Sequence, residues 1–119
     1  MKAILFSIII TIVFSTIISD AQTLAPEDAA KHINDSITVC GVVKEVHFVR
    51  KNETYSVYLE FGDRSPNENF SVFISDELRK KSPYDLHTLE GKNICILGKI
   101  KIHAKKPLMN LYKFSQIQK

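Results

Sequence analysis

The side chains best placed for covalent chemistry in this chain are those of its two cysteines, Cys40 and Cys95. Each lies in an apolar pattern of period two, within residues 37–43 and 94–100, and a glycine follows each cysteine. Alternation is typical of a β-strand, and a glycine within it allows the strand to bend. An even cysteine count in an exported protein favours a disulfide, and two reduced, buried thiols are the alternative.

Other reactive residues form no catalytic or metal-binding pattern. The four histidines occur without the spacing or the carboxylate partners of a zinc site. A nuclease would need clustered carboxylates and arginines, and Asp63-Arg64 is the only hint of such a group. No serine lies in a nucleophile-elbow motif. We therefore expect a protein that is not an enzyme and that has no cofactor and no bound metal.

Residues 1–21 have the pattern of a secretory signal peptide. Met1-Lys2 gives a positive start, residues 4–18 are an apolar run, and Ser19-Asp20-Ala21 places small residues where signal peptidase cleaves. The run is shorter than the roughly 20 apolar residues that span a bilayer, which favours cleavage after Ala21 over a retained anchor. We predict a periplasmic or secreted protein, where Cys40 and Cys95 can be oxidised.

Residues 22–119 contain no repeat and no linker, and they predict one small domain. A short helix is expected to open near Pro26, and a second is expected from the Ser75-Asp76 cap through Lys81. Alternating apolar residues predict five strands, which cover 37–48, 55–61, 70–74, 94–103 and about 107–111. Residues 62–68 form the turn between the second and third strands.

The alternation also assigns faces. In the first strand the apolar face changes parity near Lys44 and Glu45, which predicts a β-bulge and places Val46 and Phe48 inward. In the fourth strand Ile100 and Ile102 share the inward parity with Ile94, Ile96 and Gly98. The outward positions of that strand are then Cys95, Leu97, Lys99, Lys101 and His103.

Three strands, a helix and two further strands is the order of the OB-fold, an all-β, five-stranded Greek-key barrel. We predict this fold for 22–119, with a short N-terminal helix and a short helix between strands 3 and 4. Another small β-barrel or roll is the alternative. The first and fourth strands are antiparallel neighbours in an OB-fold, so Cys40 and Cys95 can bond if they are directly opposed.

Several segments resemble a family of small secreted or periplasmic bacterial proteins with nucleic-acid-binding, tRNA anticodon-binding-like OB-folds. They cover most of the mature chain and comprise Ala29–Ile33, Ile37–Val43, Ser65–Val72, Leu89–Cys95, Gly98–Ile100 and Ser115–Ile117. The chain departs from the family at Lys105-Lys106-Pro107, where relatives tend to have glycine, lysine and proline. The resemblance implies an OB-fold in the cell envelope with nucleic acid as a ligand.

An OB-fold binds its ligand on the second and third strands, between two flanking loops. Tyr58 and Phe73 point outward there and could stack on the bases of single-stranded DNA or RNA. The phosphates would be bound by basic residues of the loops and the fourth strand, namely Arg50, Lys51, Lys101, His103, Lys105 and Lys106. The sequence thus predicts weak binding of single-stranded nucleic acid with little sequence preference.

Two observations weigh against that ligand. Glu60 lies on the same face as Tyr58 and would repel phosphate, and the net charge of +3 is modest for a nucleic-acid-binding protein. Outward aromatic residues can also simply pack across a sheet, and outward lysines can simply be solvated. The alternatives are a protein-binding or inhibitory barrel and an oligosaccharide-binding barrel of the cell envelope, in each case a monomer.

Overall fold

The computed structural model describes residues 23–62 and 70–118. The predicted signal peptide, residues 1–21, lies outside these ranges, as does all but Gly62 of the predicted turn at 62–68. Within the described residues, no helix is both long and apolar enough to cross a membrane.

The described chain is mostly β-structure. Its strands are β1 (Thr23–Leu24), β2 (Ser36–Lys51), β3 (Thr54–Phe61), β4 (Phe70–Ile74), β5 (Asn93–His103), β6 (Lys106–Asn110) and β7 (Ile117–Gln118). One α-helix, α1 (Asp76–Arg79), follows β4, and 3-10 helices cover Pro26–His32, Leu86–Leu89 and Phe114–Gln116.

The strands form one mixed sheet in the order β1-β2-β3-β4-β6-β5-β7, and β2 also pairs with β5. Strand β2 pairs with β3, β3 with β4, β4 with β6, β6 with β5, and β5 again with β2. The five longer strands therefore form a cycle of pairings that begins and ends at β2. The prediction of five strands was incomplete because β1 and β7 extend the sheet. Each has only two residues, which is too short to produce a detectable alternation.

Strand β2 takes part in two pairings because it changes register at the predicted bulge. Its first half pairs with β5, and from Val43 onward it pairs with β3. The register shifts between Val43 and Glu45, as the change of parity in the sequence predicts. One long strand thereby contributes to both parts of the sheet.

The core consists of the inward residues of the strands, of Ala29, Leu86 and Leu89 from two 3-10 helices, and of Leu111 after β6. Val39, Val57, Leu59, Val72, Ile96, Ile100 and Met109 are all fully buried. Two inward assignments were wrong: Phe48 is 37% exposed and Ile102 is 60% exposed. Both residues have the inward parity, but they lie on parts of their strands that extend beyond the packed core, and so they are not buried.

Cys40 and Cys95 are directly opposed partners in the β2–β5 register. Their sulfur atoms are bonded, with a Cα–Cα distance of 4.0 Å. The predicted disulfide is confirmed, and it joins the first half of the bent strand to β5. A disulfide is typical of proteins outside the cytoplasm.

Both predicted helices are present with small differences. Pro26 begins the first one, which is a 3-10 helix and not an α-helix. The side chain of Ser75 accepts a hydrogen bond from the N–H of Leu78 and so caps α1, which ends at Arg79, two residues before Lys81. Asp85 caps the 3-10 helix Leu86–Leu89 in a similar way, and this element was not predicted.

Candidate functional site

A groove of about 330 Å³ lies where β2 and β3 meet the β5–β6 hairpin. Its walls combine aromatic, aliphatic, acidic and basic side chains, contributed by five strands and one turn. The lining residues are His47, Phe48, Val49, Tyr58, Glu60, Ser71, His103, Ala104, Lys106, Pro107 and Leu108. We call this surface the groove.

Two cross-strand pairs lie next to each other on the outer face of β3 and β4. Tyr58 is directly opposite Phe73, and Glu60 is directly opposite Ser71. Because alternate residues of a strand share a face, the two pairs are separated by about 7 Å along the strands. The face thus presents an aromatic pair beside a polar pair.

The aromatic pair has the geometry of a tilted ring contact. The centroids of Tyr58 and Phe73 are 5.1 Å apart and the ring planes meet at 53°. Both residues are half-buried, and Tyr58 lines the groove whereas Phe73 continues the surface from it. The prediction that these two side chains are cross-strand neighbours on the outer face is confirmed.

The polar pair is joined by a hydrogen bond. The hydroxyl of Ser71 donates to Oε2 of Glu60 at a distance of 2.7 Å. Ser71 is 8% exposed although it lies on the outer face. The carboxylate of Glu60 is therefore held in place and lies within the groove.

The β5–β6 hairpin provides the basic side of the groove. His103 and Lys106 are paired in the register, and Ala104 and Lys105 form the two-residue turn between them. Both turn residues have positive φ, 50° for Ala104 and 66° for Lys105. This is the pattern of a type I′ turn, which usually contains asparagine or glycine at these positions. His103 and Lys106 line the groove, and Lys105 is exposed at the tip.

Besides Lys105, three further predicted basic residues do not line the groove. Lys101 is exposed on β5 opposite Leu108, whose side chain does line it. Lys51 is exposed at the end of the β2–β3 hairpin. Arg50 is held against its own hairpin, because its Nε donates to the carbonyl of Asn52 at 3.2 Å and its guanidinium lies 5.9 Å from the ring centre of Tyr55.

One wall of the groove contains a contact that the sequence did not reveal. The rings of Phe48 and His87 are stacked, with centroids 4.4 Å apart and planes 21° from parallel. Asp85 also contacts His87, with 3.0 Å between Oδ1 of Asp85 and Nδ1 of His87. A hydrogen bond from the backbone N–H of His87, followed by the contact with its ring, lowers the pKa of Asp85. The sequence contained no local signal for this contact, because the parity of β2 assigned Phe48 to the inward face.

A charged cluster fixes α1 against β3, next to the strand that contains Tyr58. Oδ1 of Asp76 accepts hydrogen bonds from Nη2 of Arg79 at 2.7 Å and from the backbone N–H of Tyr55 at 2.9 Å. The Nζ of Lys80 lies 3.2 Å from Oδ2 of Asp76. The bond from Arg79, then that from Tyr55, holds the pKa of Asp76 well below its usual range. Arg79 also donates to the carbonyl of Tyr55 at 2.9 Å.

Within residues 23–62 and 70–118, no group of three or more histidine, cysteine, aspartate or glutamate side chains is arranged to hold a metal ion. The groove can instead offer a stacking surface, a fixed hydrogen-bond acceptor and three basic side chains, those of His47, His103 and Lys106. Of the predicted site residues, Tyr58, His103 and Lys106 meet in the groove. Phe73 and Lys105 adjoin it.

Comparisons with known proteins bear on the fold. No family model matches the sequence, and no curated protein sequence does. Similar solved structures include a candidate nucleic acid-binding lipoprotein from Klebsiella pneumoniae, with a TM-score of 0.52 and 13% identity over 75% of this chain and 87% of that one. Another is a candidate aspartyl-tRNA synthetase from Leishmania major, with a TM-score of 0.51 and 7% identity.

The match to the synthetase covers 85% of this chain and 21% of the synthetase chain. At such low identity these structures show the fold alone. Both are consistent with the OB-like fold that the strand order predicts.

Proposed function

We propose that the chain is an OB-fold binding module, exported to the periplasm or the medium, that binds single-stranded DNA or RNA weakly and with low sequence specificity. The observation that carries the proposal is the Tyr58–Phe73 pair, which adjoins a groove with a basic side. The cycle of paired strands, the similar solved structures and the disulfide support the fold and the location.

In the proposed binding mode, one base stacks on Tyr58 and the next on Phe73. Stacking on an aromatic side chain contributes about 1 to 3 kcal/mol per base. His103, Lys105 and Lys106 are then close enough to the groove to contact the phosphates. Lys101 extends the same charged side along β5. Arg50 and Lys51 would contact the bound nucleic acid only if it continues past the β2–β3 hairpin.

The net charge of +3 limits the contribution of phosphate contacts, so we expect modest affinity that falls steeply with salt. We further propose that the module acts as a monomer and by binding alone, without catalysis. The proposal of binding without catalysis rests on the absence of a catalytic pattern in the sequence.

The test is fluorescence anisotropy of labelled single-stranded DNA and RNA 12-mers with the oxidised protein, at low and at physiological salt. A Tyr58→Ala/Phe73→Ala variant should lose binding, and Tyr112→Ala is the matched control, since Tyr112 is 70% exposed and does not line the groove. Salt-sensitive binding that only the double variant loses supports the proposal. No binding at low salt contradicts it.

An oligosaccharide is the second candidate, because a fixed carboxylate beside an aromatic side chain also suits sugar hydroxyls and sugar faces. Binding of a neutral glycan should hardly depend on salt. A protein partner from the cell envelope would instead form a stable complex with this chain. That complex would survive the loss of the Tyr58 and Phe73 rings only if the partner binds outside this surface.

A further inference from the structure

The inference concerns Glu60, whose charge should disfavour a phosphate chain in the groove. Its carboxylate is half-buried and lies one cross-strand pair away from Tyr58 and Phe73. A carboxylate that served only solubility would be expected at an exposed position, free to move. Glu60 is instead held by Ser71, which suggests that its position matters to a ligand.

The Glu60–Ser71 pair presents hydrogen-bond acceptors. An ionised carboxylate has about four lone-pair positions and no donor. Ser71 uses its one hydroxyl proton on Oε2 of Glu60, so its own oxygen retains only acceptor capacity. Within residues 23–62 and 70–118, the hydroxyl of Ser71 is the donor that hydrogen-bonds to this carboxylate.

The acceptors lie on one side of the groove and most of the donors on the other, and the exception is His47, which lies on β2 directly opposite Tyr58. The acceptor pair lies on the sheet, where Ser71 is buried, and the basic residues His103 and Lys106 lie on the hairpin side. A nucleotide has the matching arrangement when its base stacks on the sheet, because its phosphate is an acceptor and its base edge can be a donor. The distance of about 7 Å between neighbouring pairs on one face brings the edge of a base stacked on Tyr58 close to Glu60.

Base edges differ in what they offer to such an acceptor. Guanine has an N–H and an amino group side by side, and cytosine and adenine each have one amino group. Uracil and thymine have a single N–H between two carbonyl oxygens, which a carboxylate would repel. Glutamate is accordingly used in proteins to accept from the amino group of cytosine.

From this geometry we infer that Glu60 makes the groove selective: it accepts hydrogen bonds from bases with an exocyclic amino group, guanine foremost, and rejects uracil and thymine. The inference rests on the proposed function and refines it. Sequence preference would be low overall, since one position of the bound strand is read while the others are held by stacking and charge.

The experiment uses labelled DNA 12-mers of thymine with one central guanine, cytosine, adenine or thymine, titrated at low salt. A single central guanine should increase the affinity about tenfold over the all-thymine strand, the lower part of the range for discrimination by a bidentate contact. Glu60→Gln should reduce that ratio to less than about twofold, because glutamine offers a donor as well as an acceptor.

Two control variants separate selectivity from charge and from folding. Glu53→Gln removes a negative charge at the tip of the β2–β3 hairpin, outside the groove, and should leave the ratio unchanged. Ser71→Ala retains the charge of the carboxylate but removes the hydrogen bond that holds it, so the ratio should fall although the charge of the groove is unchanged. The circular dichroism spectrum and melting temperature of each variant establish that it is folded.

Two results would overturn the inference while leaving the proposed function intact. One is equal affinity of the wild-type protein for all four strands. The other is a Glu60→Gln variant that binds every strand more tightly by the same factor, which is the signature of relieved repulsion alone. Failure of every strand to bind would instead refute the proposed function, and the inference with it.

Discussion

The ring of Phe48 stacks on the imidazole of His87, with 4.4 Å between their centroids. The contact joins the far end of β2 to the 3-10 helix Leu86–Leu89, two elements that are distant in sequence. Phe48 also lines the groove. The same contact therefore supports one wall of the candidate site and holds the loop that follows α1.

We expect a measurable coupling between these two side chains. Phe48→Ala should reduce the free energy of unfolding by about 1 kcal/mol, and a double-mutant cycle with His87→Ala should give a coupling of about 0.5 to 1.5 kcal/mol, the usual range for a ring pair. Urea unfolding of the two single variants and the double variant measures it. Additive effects would show that the rings are adjacent without stabilising each other.

The disulfide should supply much of the stability of this small domain. Cys40 and Cys95 are separated by 55 residues, and closing a loop of that length contributes on the order of 4 kcal/mol in the chain-entropy model. A Cys40→Ala/Cys95→Ala variant should lose up to that amount in urea unfolding. The wild-type protein measured with and without a reducing agent is the control, and equal stability of the two forms would contradict the prediction.

Gly41 lies where β2 crosses the start of the first 3-10 helix. A β-carbon at this position would approach Cγ of Pro26 to within 2.5 Å. Since the ring of proline cannot rotate away, Gly41→Ala should destabilise the protein by about 1 to 3 kcal/mol. Gly98→Ala is the matched comparison, because its closest neighbour is the sulfur of the flexible Met109, at 2.7 Å. Gly98→Ala should destabilise the protein less than Gly41→Ala does, as measured by thermal unfolding.

Asp76 gives stability a definite dependence on pH. Its pKa is lowered in the folded protein, chiefly by the hydrogen bond from Arg79. The ionised carboxylate therefore stabilises the fold above its ordinary pKa of 3.8, and this stabilisation is lost as the pH falls through the lowered value. Asp76→Asn should melt at a lower temperature than wild type at pH 7, and the two melting curves should converge with acidification below about pH 4. A constant difference in melting temperature from pH 7 to pH 2 would exclude this role.

The sequence predicts much of the fold because alternation and burial coincide along the middle of each strand. Leu59 and Ile100 are inward by parity and fully buried, and the change of parity at Glu45 locates the bulge. The prediction fails at Phe48 and Ile102, where the strands extend beyond the core. Inward parity there does not lead to burial, because the core does not cover the side chain.

The site was predictable only in part, because some of its contacts depend on tertiary structure and not on strand alternation. Strand alternation places Tyr58 and Phe73 on one face, and the register then makes them partners. The contact of Phe48 with His87 depends on how a loop folds back over a strand, which no local pattern encodes. The hydrogen bond between Ser71 and Glu60 likewise becomes visible only once the register of β3 with β4 is known.

The turn at Ala104 and Lys105 allows the charge of the hairpin to be separated from its conformation. Both residues adopt left-handed backbone angles, which cost roughly 1 kcal/mol or more for a residue other than glycine. Ala104→Gly and Lys105→Gly should therefore both raise the melting temperature.

Only Lys105→Gly removes a positive charge. If Lys105 contacts phosphate, this variant should bind single-stranded DNA more weakly and lower the slope of log affinity against log salt by about 1. Ala104→Gly should bind as the wild type does, because it relaxes the same turn without altering its charge. Equal salt slopes for the two glycine variants would remove Lys105 from the binding surface and leave His103 and Lys106 as the hairpin residues to test.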